Sequence, residues 1–168
     1  MLKPQDILVT LHLAEPLDED ERTFPRLAAA LGISASEAHA AVRRAALSGL
    51  VDLETRTVRK AALLEFLIHG LRYVFPPEWK GITRGVPTSY AADPLRRQFS
   101  QGDLPPVWPH PEGTVRGEGL VPLYPSIPMA ALRDPKLHEW LALVDAVRAG
   151  RARERQLATK EIERRLAA

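Results

Sequence analysis

The stretch TFPRLAAALGISASEAHAAVRRAALSGL, residues 23–50, decides the fold of this part of the chain. Apolar residues spaced i, i+3, i+4 and i+7 within residues 24–31 predict a short helix with one apolar face. Gly32 ends that helix. Ser34 and Glu37 then form an S-x-x-E capping box, which satisfies two backbone N–H groups at the start of a second helix near residue 35. The sequence therefore predicts two helices joined by a tight turn.

The second predicted helix has a small-residue face and a polar face. Ala38, Ala41, Val42 and Ala45 repeat at helical spacing and predict the buried side, where small side chains permit close packing. Gly49 supplies the left-handed exit from the helix. The opposite side carries Ser36, His39, Ala40, Arg43, Arg44 and Leu47. These residues are the candidates for contact with a partner.

The flanking segments extend this unit in both directions. Lys3-Pro4-Gln5-Asp6 starts a helix that ends near Glu15-Pro16 and places His12 on the surface. Residues 51–59 alternate apolar and polar side chains around a short connection, which predicts a strand, a turn and a strand. Arg56 lies at the tip of that hairpin and Arg59 on its outer face.

Leu-Ala-x-x-Leu-Gly-Ile-Ser at residues 27–34, followed by Gly-Leu-Val at residues 49–51, resembles the winged helix-turn-helix of bacterial transcriptional regulators. The likeness covers about residues 3–60. It implies a recognition helix at residues 35–47 in the DNA major groove and a wing after it. In that arrangement Ser36, Ala40 and Arg43 face base edges. The predicted backbone contacts are His39, Arg44 and Ser34, and the predicted wing contacts are Arg56 and Arg59.

The remainder of the chain divides into three parts of different character. Residues 60–75 are apolar around almost the whole helix circumference and predict a helix between two layers. Residues 76–128 contain 11 of the 15 prolines and 6 of the 10 glycines, but also several aromatic residues, and predict an ordered, irregular strap. This strap either binds a partner or covers the apolar helix. Asp134-Pro135 opens a further helix. The tail at residues 151–168 docks on that helix, pairs with its copy in a dimer, or binds a partner or nucleic acid, and the first two are favoured.

Composition, charge and the absence of certain motifs limit the classes of function that we expect for this chain. The chain has no cysteine. Its net charge is +2, but this charge is unevenly distributed: residues 1–75, the predicted DNA-binding part, carry 9 Lys/Arg against 10 Asp/Glu. An overall basic surface is therefore not available to bind phosphates. The sequence shows no nucleophile elbow, P-loop or paired-histidine motif, so we expect no enzyme, cofactor or metal site. No apolar run is long enough to span a membrane, and we expect a cytoplasmic protein.

Together these patterns predict a mainly α protein with a small β-wing. A winged helix-turn-helix module with its following apolar helix occupies residues 1–75, the irregular Pro-rich segment residues 76–133, and the C-terminal helices residues 134–168. The predicted function is a dimeric transcriptional regulator that binds double-stranded DNA. It could also be the DNA-binding member of an antitoxin-like pair, with a protein partner bound through residues 76–128 or the C-terminal helices. The alternative is an interaction adaptor whose winged helix never binds DNA.

Overall fold

The computed structural model describes residues 1–167; it is 53% helical and contains one small three-stranded sheet. This is a small α+β arrangement. A single apolar core takes residues from the N-terminal, middle and C-terminal parts of the chain. In chain order the elements are α1 (Pro4–Leu13), α2 (Phe24–Leu31), α3 (Ala35–Leu47), α4 (Lys60–His69), α5 (Leu71–Val74), β1 (Trp79–Pro87), β2 (Pro106–Pro109), β3 (Val115–Leu120), α6 (Ile127–Arg133), α7 (Pro135–Ala149) and α8 (Ala152–Ala167).

Helices α1, α2 and α3 pack against one another at the N-terminal end of the molecule. The predicted bounds of α2 and α3 are confirmed. Gly32 adopts a left-handed conformation with φ 68°, and both hydrogen bonds of the Ser34–Glu37 capping box are present. The predicted small-residue face of α3 is buried. The turn between α2 and α3 is thus fixed by local chemistry at two adjacent helix ends.

The two-stranded wing predicted for residues 51–59 is reduced to one antiparallel bridge, between Val51 and Val58. Most of the residues between them are used by the turn itself, because the N–H of Arg56 donates to the carbonyl of Asp52 at 2.8 Å. Helix α4 begins at Lys60, directly after the bridge. No residues therefore remain to lengthen the hairpin into paired strands.

The single helix predicted over residues 60–75 is also corrected. Gly70 divides it into α4 and α5, and only Leu63, Leu67 and Leu71 are fully buried, against α7 and α8. The rest of the circumference is partly open, with Tyr73 75% exposed. The helix therefore packs on one layer, rather than lying between two.

The segment predicted to be irregular contains strands β1, β2 and β3, each paired with the other two, so the sheet closes on itself. Glycine allows this closure, since a Cβ at Gly85 would overlap the carbonyl oxygen of Trp108, and one at Gly117 that of Pro105. The prolines of β1 and β2 lie at strand ends, where the missing N–H removes little from the ladder. The high proline and glycine content predicted an irregular segment, whereas this part of the chain forms a compact, closely packed sheet.

Helix α7 is the centre of the molecule and holds the sheet through a buried polar cluster. The Asp145 carboxylate accepts hydrogen bonds from Trp108 Nε1 and Thr88 Oγ1, both at 2.7 Å. Arg148 pairs with the same carboxylate at 3.2 Å and donates to the carbonyl of Phe75 at 2.9 Å. Asp145 and Arg148 are 2% and 6% exposed, so these hydrogen bonds replace the hydration that the two buried charges lack.

The C-terminal tail forms α8, which docks on α7 and α4 of its own chain. Its thin apolar stripe, Ala158, Ile162 and Leu166, is buried there. The docking alternative for the tail is therefore confirmed, and this stripe is not free to pair with a second copy. No helix in the described part of the chain is both long and apolar enough to cross a membrane.

His12, expected on the surface, is only 8% exposed. It lies on the face of α1 turned toward the start of α7, with its Nδ1 3.9 Å from the carboxylate of Asp134. Burial lowers the pKa of His12, although the carboxylates of Asp134, Glu15 and Glu21 act in the opposite direction. Burial therefore favours the neutral form of His12 over the charged one.

Candidate nucleic-acid interface

The outer side of α3 is a ridge formed by Ser36, Ala40 and Arg43. Burial of the opposite, small-residue face turns this ridge to the exterior. Ser36 and Arg43 are exposed and Ala40 is partly exposed, so the strap does not cover them. Within residues 1–167, the Arg43 guanidinium forms no ion pair or side-chain hydrogen bond. A cation and a hydroxyl group are thus presented on an accessible helix surface.

The N-terminal end of α3 is occupied by its own cap. Ser34 Oγ accepts from the N–H of Glu37 at 3.1 Å and lies 3.3 Å from Ser36 Oγ. The Glu37 carboxylate accepts from the N–H of Ser34, and this bond lowers the pKa of Glu37. The Tyr124 hydroxyl from the middle segment lies 3.4 Å from the same carboxylate. A negative charge therefore stands where a phosphate would approach the helix N-terminus, and it opposes that approach.

Arg44, a predicted backbone contact, is bound inside the protein instead. Its Nη2 and Nε lie 2.7 and 2.9 Å from the two carboxylate oxygens of Asp6 on α1. Asp6 is fully buried, and the hydrogen bonds with it raise the pKa of Arg44. Arg44 therefore fastens α3 to α1, and it could reach a phosphate only by breaking this pair. The sequence placed Asp6 only at the start of the first helix and did not indicate this contact.

Arg56 and His39 both contact the ring of Phe24 in α2. The Arg56 guanidinium lies 4.0 Å above the Phe24 ring, and its Nη1 donates to the carbonyl of Arg22 at 3.1 Å. The His39 ring meets the Phe24 ring edge-on, with 4.8 Å between their centroids. Arg56 is therefore folded back onto α2, and does not project from the tip of the hairpin as predicted.

Arg43 and Arg59 are brought together by the fold. Both line a surface groove of about 420 Å³ between the C-terminal half of α3 and the 51–58 turn. The same groove contains the carboxylates of Asp52 and Glu54, which balance the two arginines in charge. Hydrogen bonds from Thr55 lower the pKa of Asp52 and keep it ionised. The groove is thus electrically neutral as a whole, with the positive charges at Arg43 and Arg59.

Two leucines make part of this surface apolar. Leu47, at the end of α3, is 86% exposed, and Leu53, in the turn, is 50% exposed. Both line the groove with Arg43 and Arg59. Two exposed leucines in one groove offer apolar area to a partner. The sequence marked Leu47 as outward-facing, but did not indicate that Leu53 would join it.

Residues 1–167 contain no group of three or more His, Asp or Glu side chains placed to hold a metal ion. Comparison of the chain with models of protein families, with curated proteins and with solved structures finds no match.

Proposed function

We propose that this protein is a DNA-binding transcriptional regulator of the winged-helix type that acts as a dimer. The observation that carries the proposal is the uncovered ridge of Ser36, Ala40 and Arg43 on a helix whose opposite face is packed on α1 and α2. An α-helix presented in this way fits the width of the DNA major groove. Arg43 and Ser36 would read base edges, and Ala40 would permit close approach.

The positive charge available for phosphates is small. Arg44 and Arg56 have intramolecular partners, so Arg59 is the remaining predicted arginine beside Arg43, and Glu37 opposes phosphate at the helix N-terminus. Each neutralised phosphate contributes to affinity through counterion release. A single copy should therefore bind weakly, and a palindromic site read by two copies would double the contacts.

Selection of bound duplexes from a randomised DNA pool, together with the mass of the free and bound protein, tests this proposal. We expect a palindromic consensus and a complex with two protein copies. Arg43→Ala should relax base preference at one position in each half-site, at a cost of about 1–3 kcal/mol. Arg116→Ala, on the exposed side of β3, is the matched control and should leave the consensus unchanged. A pool that shows no enrichment would exclude sequence-specific regulation.

The alternative function is an interaction adaptor, and the exposed Leu47 and Leu53 favour it. A groove with two exposed leucines, edged by Arg43 and Arg59 on the one hand and Asp52 and Glu54 on the other, suits an amphipathic protein segment with charges of both signs at its ends. Leu47→Glu distinguishes the two functions. It should abolish binding of a protein partner, and it should also weaken DNA binding if α3 lies in the groove. Duplex DNA binding that both Leu47→Glu and Arg43→Ala weaken would favour the regulator, whereas partner binding lost in Leu47→Glu by a protein that binds no DNA would favour the adaptor.

An antitoxin-like role remains compatible with this proposal. The partner surface would lie in residues 76–128, because the apolar stripe of α8 is already buried in its own chain. Trp79 and Ile82 at the open end of β1 are 41% and 57% exposed and supply apolar area for such a contact. Co-purification of a partner that Ile82→Glu releases, with DNA binding retained, would support the paired regulator.

A further inference from the structure

We propose that a cleft on the opposite side of the 51–58 turn binds a small organic acid, a carboxylate attached to an apolar body. The cleft lies between the end of α1, this turn and the helices α7 and α8, and has a volume of about 600 Å³. Cavities of roughly 300–1,000 Å³ accommodate small-molecule ligands in proteins. The binding site stands independently of the proposed function; the effect of the ligand on DNA binding rests on it.

The walls of the cleft are apolar where a ligand body would lie. Leu13 and Pro16 come from the end of α1 and the loop after it, Val58 from the bridge, and Trp140 from α7. The Trp140 Nε1 donates to Glu15 Oε1 at 2.6 Å, so the indole is fixed in orientation and the carboxylate is already engaged. An aromatic or aliphatic group could pack against the fixed indole and the apolar walls, beside the Glu15 carboxylate.

The second carboxylate in the lining, Glu139, is also paired. Arg165 Nη2 lies 2.6 Å from Glu139 Oε2, and Arg165 Nε lies 2.9 Å from Glu161 Oε1. Arg164 pairs with Glu161 as well. These contacts balance the charges on the α7 and α8 side of the cleft. The ligand's charge must then be matched by the remaining cations.

Arg22 is the residue that points to an anion. It lines the cleft, and its Nε is buried with no hydrogen-bond partner. Within residues 1–167 no carboxylate pairs with its guanidinium. Because its Nε is closed off from solvent, a ligand carboxylate would accept from the two terminal Nη groups, end-on and bidentate, in a geometry that guanidinium favours. Lys136, in the first turn of α7, lines the same cleft and adds a second positive charge.

The cleft is connected to the DNA-facing side through the turn. Thr57 and Val58 line the cleft, and Arg59 follows them in the groove described above. The carbonyl of Arg22 also holds Arg56 in its stack on Phe24. A ligand that binds Arg22 and packs on Val58 therefore contacts the residues that position the turn. If the ligand binds more tightly to one conformation of the 51–58 turn than to another, ligand binding should change the affinity for DNA by the same free-energy difference.

Titration of the full chain with 2-naphthoate and octanoate, each compared with its neutral amide, tests the site by tryptophan fluorescence and calorimetry. We expect the carboxylates to bind with dissociation constants of about 1 mM or below and the amides roughly tenfold more weakly. Arg22→Gln should weaken naphthoate binding by about tenfold, and Lys136→Gln by a smaller factor. Arg116→Gln is the control and should change nothing. Thermal melts establish that each variant is folded.

Equal binding of acid and amide, no binding of either acid at about 10 mM, or a folded Arg22→Gln protein with unchanged affinity would each overturn the anion site. The connection to DNA is tested separately, by the DNA affinity with and without saturating naphthoate. Naphthoate binding with unchanged DNA affinity would overturn the coupling and support the cleft. Naphthoate binding by a protein that binds no DNA would overturn the proposed function and also support the cleft.

Discussion

Replacing Arg44 with alanine should lower the free energy of unfolding by about 3–5 kcal/mol, because it leaves a buried carboxylate without its partner. Asp6 is fully buried, and after the change it keeps only the N–H of Lys3, at 2.7 Å, among the hydrogen bonds described for its carboxylate. The change removes two donors, Nε and Nη2. At roughly 1.5–3 kcal/mol for each hydrogen bond to a charged group, the loss agrees with this range.

Thermal and urea denaturation measure this effect. For a domain of this size, about 2–4 °C per kcal/mol gives a fall in melting temperature of roughly 6–20 °C. Arg43→Ala is the matched control, one residue away on the same helix but exposed, and should change stability by no more than about 0.5 kcal/mol. Replacing Asp6 and Arg44 together with leucine should recover most of the loss, because no buried charge remains. An Arg44→Ala protein as stable as the unchanged chain would refute the structural role of the pair.

Three further predictions concern stability. Because burial lowers the pKa of His12, the unfolded chain binds more protons than the folded one around the ordinary histidine pKa. The free energy of unfolding should therefore have its full value above pH ~7 and fall as the pH drops below ~6.5, by up to roughly 1.4 kcal/mol per pH unit. His12→Asn should flatten this pH dependence, as measured by urea titrations at each pH. Asp145→Ala should destabilise the protein by about 3–5 kcal/mol and alter the near-ultraviolet circular dichroism of Trp108, which loses its hydrogen-bond acceptor. Gly117→Ala should cost about 1–3 kcal/mol in thermal melts because its Cβ meets a backbone carbonyl, whereas Gly102→Ala, in open space, should cost less than about 1 kcal/mol.

Each of these predictions has a result that would contradict it. A stability curve for His12→Asn with the same slope between pH 5 and 7 would assign the dependence to other groups. Unchanged tryptophan signals in Asp145→Ala would mean that α7 does not orient the sheet. Equal melting temperatures for the two glycine variants would show that the sheet has room for a side chain at its closest approach.

The parts of the fold that were predictable from sequence are those set by neighbouring residues. Gly32 and the Ser34–Glu37 box fixed the ends of α2 and α3, and Asp134 fixed the start of α7, since caps act over three or four residues. The closed sheet was not predicted because it depends on contacts between distant backbone segments, such as Gly117 with Pro105. The sequence shows only that these positions are glycines, and glycine is equally typical of turns.

The candidate site was predictable in outline but not in its charges. Helical spacing places Arg43 and Arg44 both on the outward side of α3, and nothing local separates them. Their difference comes from Asp6, 38 residues away, which lies in a run of buried residues on α1. A carboxylate at the edge of an apolar stretch was a signal for a buried pair, and charged residues within the apolar stretch of α7 mark Asp145 and Arg148 in the same way.

The salt dependence of duplex DNA binding tests the central claim most directly. We predict that log affinity falls linearly with log salt concentration, and that Arg59→Ala makes the slope shallower by about 0.9 per protein copy, since it removes one phosphate contact. The fold of this variant should be unchanged, because Arg59 is exposed and has no ion-pair partner in residues 1–167. DNA binding with the same salt slope in the variant, or no DNA binding at low salt, would contradict the account.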